Sequence, residues 1–411
     1  MIFSSLPFIS YLLSGQVFKP GLFNLINYMA KRTGLKVPTL KEITRRYGSS
    51  LKMKADTIDH YNLWIPSSFY ALNHQMGGGI PFGKIVEIMG EESSGKSLMA
   101  YNFAKCCQQM GGHVIWVDAE QSWMNSWAEQ NGLDLSCVTV LNDTQIETIS
   151  DALADLAIYY RSQLVNNEPI LIVIDSIAAL DSADTINSKM ADQKAEMGSR
   201  AKMLYKMFRI RFELFYKLGV SMLCINQLRT ALNVGFGKDN ATTPGGAALK
   251  FYASIRLATY SGRTLTVKVK GKEKRAGKYV TIRMIKNKVS PPRETISKAP
   301  IYFNPNIHEV GFDKYFGLAN VLEDTDVITR KNGGSFLFEG KVICRGEDKF
   351  EALMAEDDKL RKKLIRASGI NTIGNAKRSM RAVGKNLFPV DSDIEYESQS
   401  ESYEEDEEEN I

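Results

Sequence analysis

Apolar residues in this chain form short continuous runs that alternate with longer segments of helical periodicity. A strand that is covered on both faces shows no polar alternation, so the short runs predict buried strands. We expect these strands at Lys84–Met89, His113–Asp118, Val138–Leu141, Ile170–Asp175 and Ser221–Ile225. We expect helices at Lys96–Gln109, Trp123–Asn131, Gln145–Leu164 and about Lys194–Leu218. The alternation predicts a doubly wound α/β domain with a parallel sheet, whose ligand lies at the carboxyl ends of the strands.

The pattern changes beyond Gly246. Alternating and β-branched segments predict strands at Ala253–Thr259, Thr264–Lys270 and Lys278–Ile285, with a basic turn from Gly271 to Gly277. A smaller mixed region follows from about Asn304 to Val383, with a basic helical segment near Lys359–Arg366. Near the start of the chain, Thr39–Tyr47 predicts a short helix with Thr39 as its N-cap.

A glycine loop joins the first predicted strand to the first predicted helix. It consists of Gly90, Glu91, Glu92, Ser93, Ser94, Gly95, Lys96 and Ser97, which match the phosphate-binding pattern G-x-x-x-x-G-K-[ST]. In such loops the backbone N–H groups and the lysine hold phosphates, and the hydroxyl binds Mg²⁺. The helix N-terminus favours anions as well. The alternative is a glycine-rich turn that matches by chance.

Polar side chains follow three other predicted strands. Asp175 ends an apolar run, where a carboxylate supports Mg²⁺ in phosphate-loop folds; a helix cap is the alternative. Glu120 stands where it can orient or deprotonate water, although a solvated loop acid would look the same. Gln227 carries an amide that can sense a γ-phosphate.

The segment Leu228–Gly246 is a long, glycine-rich loop without a helix or strand pattern. Long loops of this kind inside compact domains are usually functional. Arg229, Phe236 and Lys238 within it suit a DNA backbone with adjacent bases. An active-site lid is the alternative.

The net charge of +5 conceals an acidic C-terminus. Eleven Asp and Glu residues, and no Lys or Arg, lie between Asp391 and Ile411, so the rest of the chain carries +16. Such a body attracts polyanions, and such a tail is usually disordered. The five cysteines show no metal-binding spacing and fit a reducing compartment. No apolar run is long enough to suggest a membrane span.

Six segments of the chain together resemble bacterial RecA-type recombinases in their residues, their order and their spacing. They are IVEIMGEESSGKS (Ile85–Ser97), WVDAEQSW (Trp116–Trp123), IVIDSIAAL (Ile172–Leu180), INQLR (Ile225–Arg229), GGAALKFYASIRL (Gly245–Leu257) and IKNKVSPP (Ile285–Pro292). The resemblance implies a RecA-like α/β P-loop NTPase core with a central, mostly parallel twisted sheet. It also implies a short N-terminal polymerisation helix, a small α+β C-terminal domain and a disordered acidic tail.

The resemblance implies roles for the residues of the nucleotide site. Lys96 and Ser97 would hold the phosphates of ATP and Mg²⁺, and Asp175 would support the metal. Glu120 would be the general base for hydrolysis, and Gln227 would sense the γ-phosphate.

Other matching positions concern the base and the neighbouring subunit. Trp127 falls where the family places an aromatic ring against adenine, although its position alone fits a core residue equally well. Lys286 and Lys288 match a pair that reaches the ATP of the next subunit in a filament, and Phe251 matches a residue that packs at that interface.

Two loops would line the filament axis and bind DNA. The first lies around Asn187–Lys202 and contributes Met197, Gly198, Arg200 and Lys202. The second is Leu228–Gly246, which contributes Arg229, Phe236, Lys238, Gly245 and Gly246.

Several positions depart from the family pattern. Ser97 replaces the commoner Thr, and Met124 stands where an acid helps to recognise adenine. The second loop gains Pro244, and Asn371–Leu387 has no counterpart. These departures indicate a divergent member, for which a phage is one candidate source.

The expected organisation has five parts. They are an N-terminal extension that is disordered or an over-extended start (1–37), a docking helix with its linker (38–62), the ATPase core with its DNA-binding loops (63–304), a small C-terminal domain (305–386) and the acidic tail (387–411).

The predicted function is an ATP-dependent recombinase that forms a helical filament on single-stranded DNA and exchanges strands with homologous duplex DNA. A hexameric helicase of the same fold and a non-catalytic DNA-binding paralogue are the alternatives. Single-strand-binding or mediator proteins are candidate partners, no membrane is involved, and the expected location is the cytoplasm of a bacterium or of a phage-infected host.

Overall fold

The strands of the core assemble into one large sheet with several small ones beside it. The computed structural model describes residues 63–187, 198–230, 241–291, 293, 295–331, 333–384, 387–388 and 390. The helix predicted at Thr39–Tyr47 and the acidic tail from Asp391 onwards lie outside these described residues.

The described strands are β1 (Trp64–Ile65), β2 (Ile80–Pro81), β3 (Ile85–Gly90), β4 (His113–Asp118), β5 (Val138–Leu141), β6 (Ile170–Asp175), β7 (Val220–Gln227), β8 (Arg229–Thr230), β9 (Ala241–Thr242), β10 (Ala253–Val269), β11 (Lys272–Asn287), β12 (Ile296–Tyr302), β13 (Gly311–Phe312), β14 (Thr329–Lys331), β15 (Ser335–Phe338) and β16 (Lys341–Arg345). The described helices are α1 (Tyr70–Met76), α2 (Lys96–Gln109), α3 (Asn125–Gln130), α4 (Ile146–Gln163), α5 (Ala183–Asn187), α6 (Ser199–Lys217), α7 (Ala248–Tyr252), α8 (Leu318–Asp324), α9 (Glu347–Glu356), α10 (Asp358–Ser368) and α11 (Ile373–Val383).

The large sheet has nine strands in the order β13-β12-β11-β10-β3-β7-β6-β4-β5 among the residues described. The pairs from β10 to β5 are all parallel, whereas β10 to β13 pair antiparallel. The predicted α/β fold with a mostly parallel central sheet is therefore confirmed. Since the parallel strands run in register, their carboxyl ends lie at one edge.

Alternate residues of the central strands face two separate hydrophobic clusters. Val86 and Leu223 point into one cluster, which includes residues of α2, while Ile85 and Met222 point into the other, which includes residues of α4 and α6. The sheet is thus covered on both faces. This explains why its strands read as continuous apolar runs in the sequence.

The prediction for the segment after Gly246 is wrong in one respect. Ala253–Val269 forms a single strand, and its partner begins at Lys272, so the turn is far shorter than Gly271–Gly277. Lys270 and Gly271 have positive φ angles of 51° and 75°, as a two-residue hairpin turn requires. The strand pairing shifts register between Ser261 and Thr264, and this shift accommodates the polar residues there. In the sequence these polar residues predict a break between two strands.

The other predicted elements that lie within the described residues agree with the structure to within a few residues, whereas the predicted start of the helix Lys194–Leu218 lies outside the described residues. β4, β5, β6 and α2 have the predicted bounds, and α10 contains the predicted basic helical segment. The helix expected at Trp123–Asn131 is shorter, because Met124 is extended and caps α3. None of the described helices is both long and apolar enough to span a bilayer.

The two end residues of the unmatched segment Asn371–Leu387 contact the nucleotide-binding part of the chain. The Asn371 amide donates to the Gly78 carbonyl at 2.9 Å, and the buried Asn167 accepts from the Leu387 N–H at 2.8 Å. Phe388 follows in the core, with the Arg161 guanidinium 5.2 Å from its ring centroid. The small C-terminal domain at residues 305–386 stays a prediction.

We expect the Phe388→Ala variant to lose about 3 kcal/mol of unfolding free energy, because a buried aromatic ring leaves a cavity and the Arg161 guanidinium loses its stacking partner. Denaturant unfolding would measure this loss. Val390→Ala removes an exposed side chain nearby and serves as the control. Equal stability of the two variants would contradict a structural role for the C-terminal segment.

Candidate active site

The phosphate-loop sequence forms the turn between β3 and α2. Gly95 caps α2 with a φ of 85°, and no side chain caps this helix. The first N–H groups of a helix have no partner within it, so they stay available to an anion. A Cβ at Gly90 would come within 2.1 Å of Thr259 Oγ1, and one at Gly95 within 2.3 Å of Ile301 Cδ1. Packing against Thr259 therefore requires a glycine at position 90, whereas the positive φ favours a glycine at position 95.

Ser94 and Lys96 brace the loop from inside. Ser94 is buried; its Oγ donates to the Glu91 carbonyl and lies 2.8 Å from Thr259 Oγ1 on β10. Lys96 Nζ donates to the carbonyls of Gly90 (3.2 Å) and Glu91 (2.6 Å). Burial lowers the pKa of Lys96, and the charge of Asp175 opposes that shift. A phosphate would offer this ammonium a charged acceptor in place of two carbonyls.

Asp175 lies at the carboxyl end of β6, next to the loop. It is hydrogen-bonded by the Ser97 side chain, and burial together with the nearby Glu120 raises its pKa to about 6. Hydroxyl and carboxylate oxygens are the ligands that Mg²⁺ takes, usually only one or two from protein with phosphates and water completing the shell. The Ser97–Asp175 pair fits that pattern. No cluster of three or more His, Cys, Asp or Glu residues that could hold a metal exists within the described ranges.

Glu120 and Gln227 meet at the same edge of the sheet. Gln227 Nε2 lies 3.4 Å from Glu120 Oε1, and Ser176 Oγ donates to the same oxygen at 2.5 Å. The N–H groups of Ala119 and Glu120 both donate to the Asp175 carbonyl, at 3.0 and 3.3 Å. The ends of β4, β6 and β7 are thus joined by hydrogen bonds.

The end of β7 is tied to the phosphate loop through the backbone. Gln227 pairs with Gly90 in the parallel ladder, and the Leu228 N–H donates to the Gly90 carbonyl at 3.0 Å. A displacement of Gln227 therefore acts on the first residue of the loop and on the segment that begins at Leu228.

Trp127 lies on α3, half-buried against the hydrophobic core. Met124, which caps this helix, is 61% exposed. Its thioether carries no charge and is at most a weak hydrogen-bond acceptor.

Lys286 and Lys288 lie away from the other residues that were predicted for the nucleotide site. Lys286 pairs with Arg256, which pairs with Glu87 on β3, three residues before Gly90. At about 3.3 Å per residue the Lys286 backbone is roughly 10 Å along the strands from the chain's own loop. Lys286 Nζ donates instead to the carbonyls of Lys250 and Phe251. Phe251 is 66% exposed.

The ends of the two predicted DNA loops lie together. A Cβ at Gly245 would be 3.0 Å from Leu204 Cδ1, and one at Gly246 would be 3.0 Å from the Ala201 Cβ, both at the start of α6. Gly198 caps that helix with a φ of 100°, and the Arg200 guanidinium donates to the Ala178 carbonyl. Lys202 is exposed.

Other predicted DNA contacts cannot be placed. Met197, Phe236 and Lys238 lie outside the described residues, and of Arg229 only the backbone is described, paired with Thr242 in the β8–β9 ladder. These positions stay predictions.

Sequence reasoning missed two polar residues at this edge. Ser176 binds Glu120, and its adjacency to Asp175 was the available signal. Asp118 is 2% exposed and accepts from the N–H groups of Ser122 and Trp123, which shapes the turn after β4. A second acid two residues before Glu120 could have indicated this.

Comparison with known proteins agrees with this geometry. The family model of the RecA N-terminal domain matches residues 35–307. Protein RecA of Picosynechococcus sp. is 34% identical over 75% of this chain and 83% of its own length. Protein RecA of Synechocystis sp. is 31% identical over 87% of the chain and 90% of its own length. That of Mycoplasmopsis pulmonis is 31% identical over 78% and 89%, respectively. The chain therefore belongs to the RecA family, and it is a divergent RecA-type recombinase.

Proposed function

We propose that the chain binds ATP with Mg²⁺ at the loop Gly90–Ser97 and hydrolyses it while assembled as a helical filament on single-stranded DNA. The filament then pairs that strand with a homologous duplex. The observation that carries this proposal is the meeting of Lys96, Asp175, Glu120 and Gln227 at one edge of the sheet. This edge continues directly into the loop that begins at Leu228.

The residues around the loop divide the work of phosphate binding. The N-terminus of α2 and Lys96 bind the β- and γ-phosphates, and Lys96 exchanges its carbonyl partners for phosphate oxygens. Ser97 and Asp175 would hold Mg²⁺, which supplies positive charge to the phosphate oxygens as negative charge develops during transfer.

Glu120 is the general base in this proposal. It takes a proton from the attacking water as the bond between the γ-phosphorus and the leaving oxygen breaks, which gives ADP and phosphate. Ser176 and Gln227 both donate to the same Glu120 oxygen, which leaves Oε2 for water. When Gln227 turns to the γ-phosphate, it releases Glu120 and moves the end of β7.

DNA binding rests on charge and on the two loops. A body of +16 provides affinity for phosphates with little sequence preference. The loop ends at Gly198–Lys202 and Gly245–Gly246 lie side by side, which suits a joint contact with one strand. Sequence discrimination then comes from base pairing between strands.

The lysines Lys286 and Lys288 act on the nucleotide of the adjoining subunit in this proposal. Their separation from the chain's own loop and the exposure of the nearby Phe251 support an interface on this side. A head-to-tail interface whose rotation does not close generates a helical filament. Single-strand-binding or mediator proteins are further candidate partners, and the proposed location is the cytoplasm.

The test of this function is ATP hydrolysis with and without single-stranded DNA, combined with strand exchange between a circular single strand and a linear homologous duplex. The wild-type chain should show DNA-stimulated hydrolysis and joint-molecule formation. Lys96→Ala should lose at least about 100-fold in turnover, because it removes a charge directed at the transition state. Duplex unwinding without strand exchange would instead indicate a helicase, and no turnover a non-catalytic paralogue.

Glu120→Gln should lower kcat by about 10²–10⁴-fold, because the amide cannot accept the proton from water. Binding of a slowly hydrolysed ATP analogue, followed by the fluorescence of a labelled nucleotide, should stay within about threefold of wild type, since binding does not require that proton transfer. A variant that loses binding and turnover in equal proportion would contradict the role of general base.

A mixing experiment tests whether Lys286 acts across the interface. Glu120→Gln and the double variant Lys286→Ala/Lys288→Ala should each be inactive alone. In a random equal mixture, about a quarter of the head-to-tail contacts join an intact Glu120 to intact lysines. We therefore expect about a quarter of the wild-type DNA-stimulated hydrolysis to return. A mixture as inactive as its components would contradict action in trans.

A further inference from the structure

A buried charge interrupts the apolar strand that leads to the phosphate loop. Glu87 is fully buried in the middle of β3, whose other residues form the apolar run of that strand. Arg256 on β10 is 8% exposed and lies with its Nε 2.5 Å from Glu87 Oε2. A buried ion pair of this kind adds little stability compared with apolar residues, so its presence calls for another reason.

The second oxygen of Glu87 holds the side chain of Asn226. Asn226 is fully buried on β7, directly before Gln227, and its Nδ2 donates to Glu87 Oε1 at 2.9 Å. The same Nδ2 donates to the Pro244 carbonyl at 3.1 Å, and Oδ1 accepts from the Gln227 N–H at 3.0 Å. One amide group thus contacts the charge pair, the residue at the end of β7 and the base of the loop.

Pro244 lies near the end of the segment Leu228–Gly246, the second predicted DNA loop. It precedes Gly245 and Gly246, which pack against the start of α6. Proline fixes its own φ and restricts the residue before it, which limits the conformations that the chain adopts at this point. The bond from Asn226 therefore joins β7 to the place where the ends of both predicted DNA loops meet.

We propose that Asn226 is a positioning residue that transmits displacement of the β7 end to the base of the DNA loop at Pro244, with the Glu87–Arg256 pair fixing its amide. The proposal rests on the function proposed above and extends it. The Arg256 guanidinium holds the Glu87 carboxylate in place. The Asn226 amide nitrogen donates to Glu87 and to Pro244, so the amide cannot rotate without losing a bond to a charged group. A shift of Gln227 then moves Pro244, not merely the Asn226 side chain.

The charge pair also extends toward the subunit interface. Arg256 is the ladder partner of Lys286, and the positive charge of Arg256 contributes to the lowered pKa of Lys286, after burial and Lys288. The same network therefore lies between the lysines that face a neighbour and the loop that faces DNA.

The test is the coupling between nucleotide and DNA, measured as the ratio of single-stranded DNA dissociation constants without and with a slowly hydrolysed ATP analogue. Fluorescence anisotropy of a labelled oligonucleotide gives both constants for the purified full chain. Asn226→Ala should reduce this ratio by about tenfold relative to wild type, a typical coupling magnitude. By reciprocity, the DNA-induced gain in affinity for the analogue should fall by the same factor.

Asn73→Ala is the matched control. Asn73 is equally buried, and its amide bonds Ser67 and Asn371, away from β7 and the loop. It should lose a similar amount of thermal stability but keep the wild-type ratio. Equal ratios in the two variants, whether lowered or unchanged, would overturn the proposal.

Deletion of Pro244 removes the carbonyl that accepts from the Asn226 amide and leaves the bond from that amide to Glu87. It should lower the ratio as Asn226→Ala does, with a smaller loss of stability, because only one of the bonds of the buried amide is removed. Combined with Asn226→Ala it should cause no further loss, because both changes remove one interaction. Additive losses would overturn the proposal. If the wild-type chain shows no nucleotide-dependent DNA binding at all, the proposed function itself fails, which separates the two claims.

Discussion

Parallel pairing of β3, β7, β6 and β4 in register is the constraint on which the rest of the structure depends. It places the carboxyl ends of four strands at one edge, and each strand ends in a different functional group. The phosphate loop, Glu120 and Asp175 are far from one another in the sequence. They become neighbours only because the four strands pair side by side in this order and register.

The same edge explains how nucleotide and DNA can affect each other. The Leu228 N–H is bound to the Gly90 carbonyl, and the Glu120 and Gln227 side chains touch. The loop that begins at Leu228 ends at Pro244–Gly246 against α6, which itself begins at Gly198. A continuous set of bonds therefore joins the phosphate loop to the segment that begins at Leu228.

Much of this could be predicted from sequence because the physical signals are local. The bounds of β4, β6 and α2 follow from apolar runs and from the glycine loop. The long β10–β11 hairpin was misjudged, because a register shift can absorb polar residues that look like a turn. The Glu87–Arg256–Asn226 contacts could not be predicted, because they join residues of three strands whose order in the sheet is not written in any short segment. The contacts of Asn371, Leu387 and Phe388 could not be predicted either, since they depend on packing between distant segments.

The most direct test of the central claim is a structure of the filament formed on single-stranded DNA with a slowly hydrolysed ATP analogue, determined by electron cryo-microscopy. The account predicts the nucleotide between protomers, bound by Gly90–Ser97 of one chain and approached by Lys286 of the next. It also predicts that Gly198–Lys202 and Gly245–Gly246 face the DNA on the filament axis. A nucleotide contacted by one chain alone, with both loop ends turned away from the DNA, would contradict it.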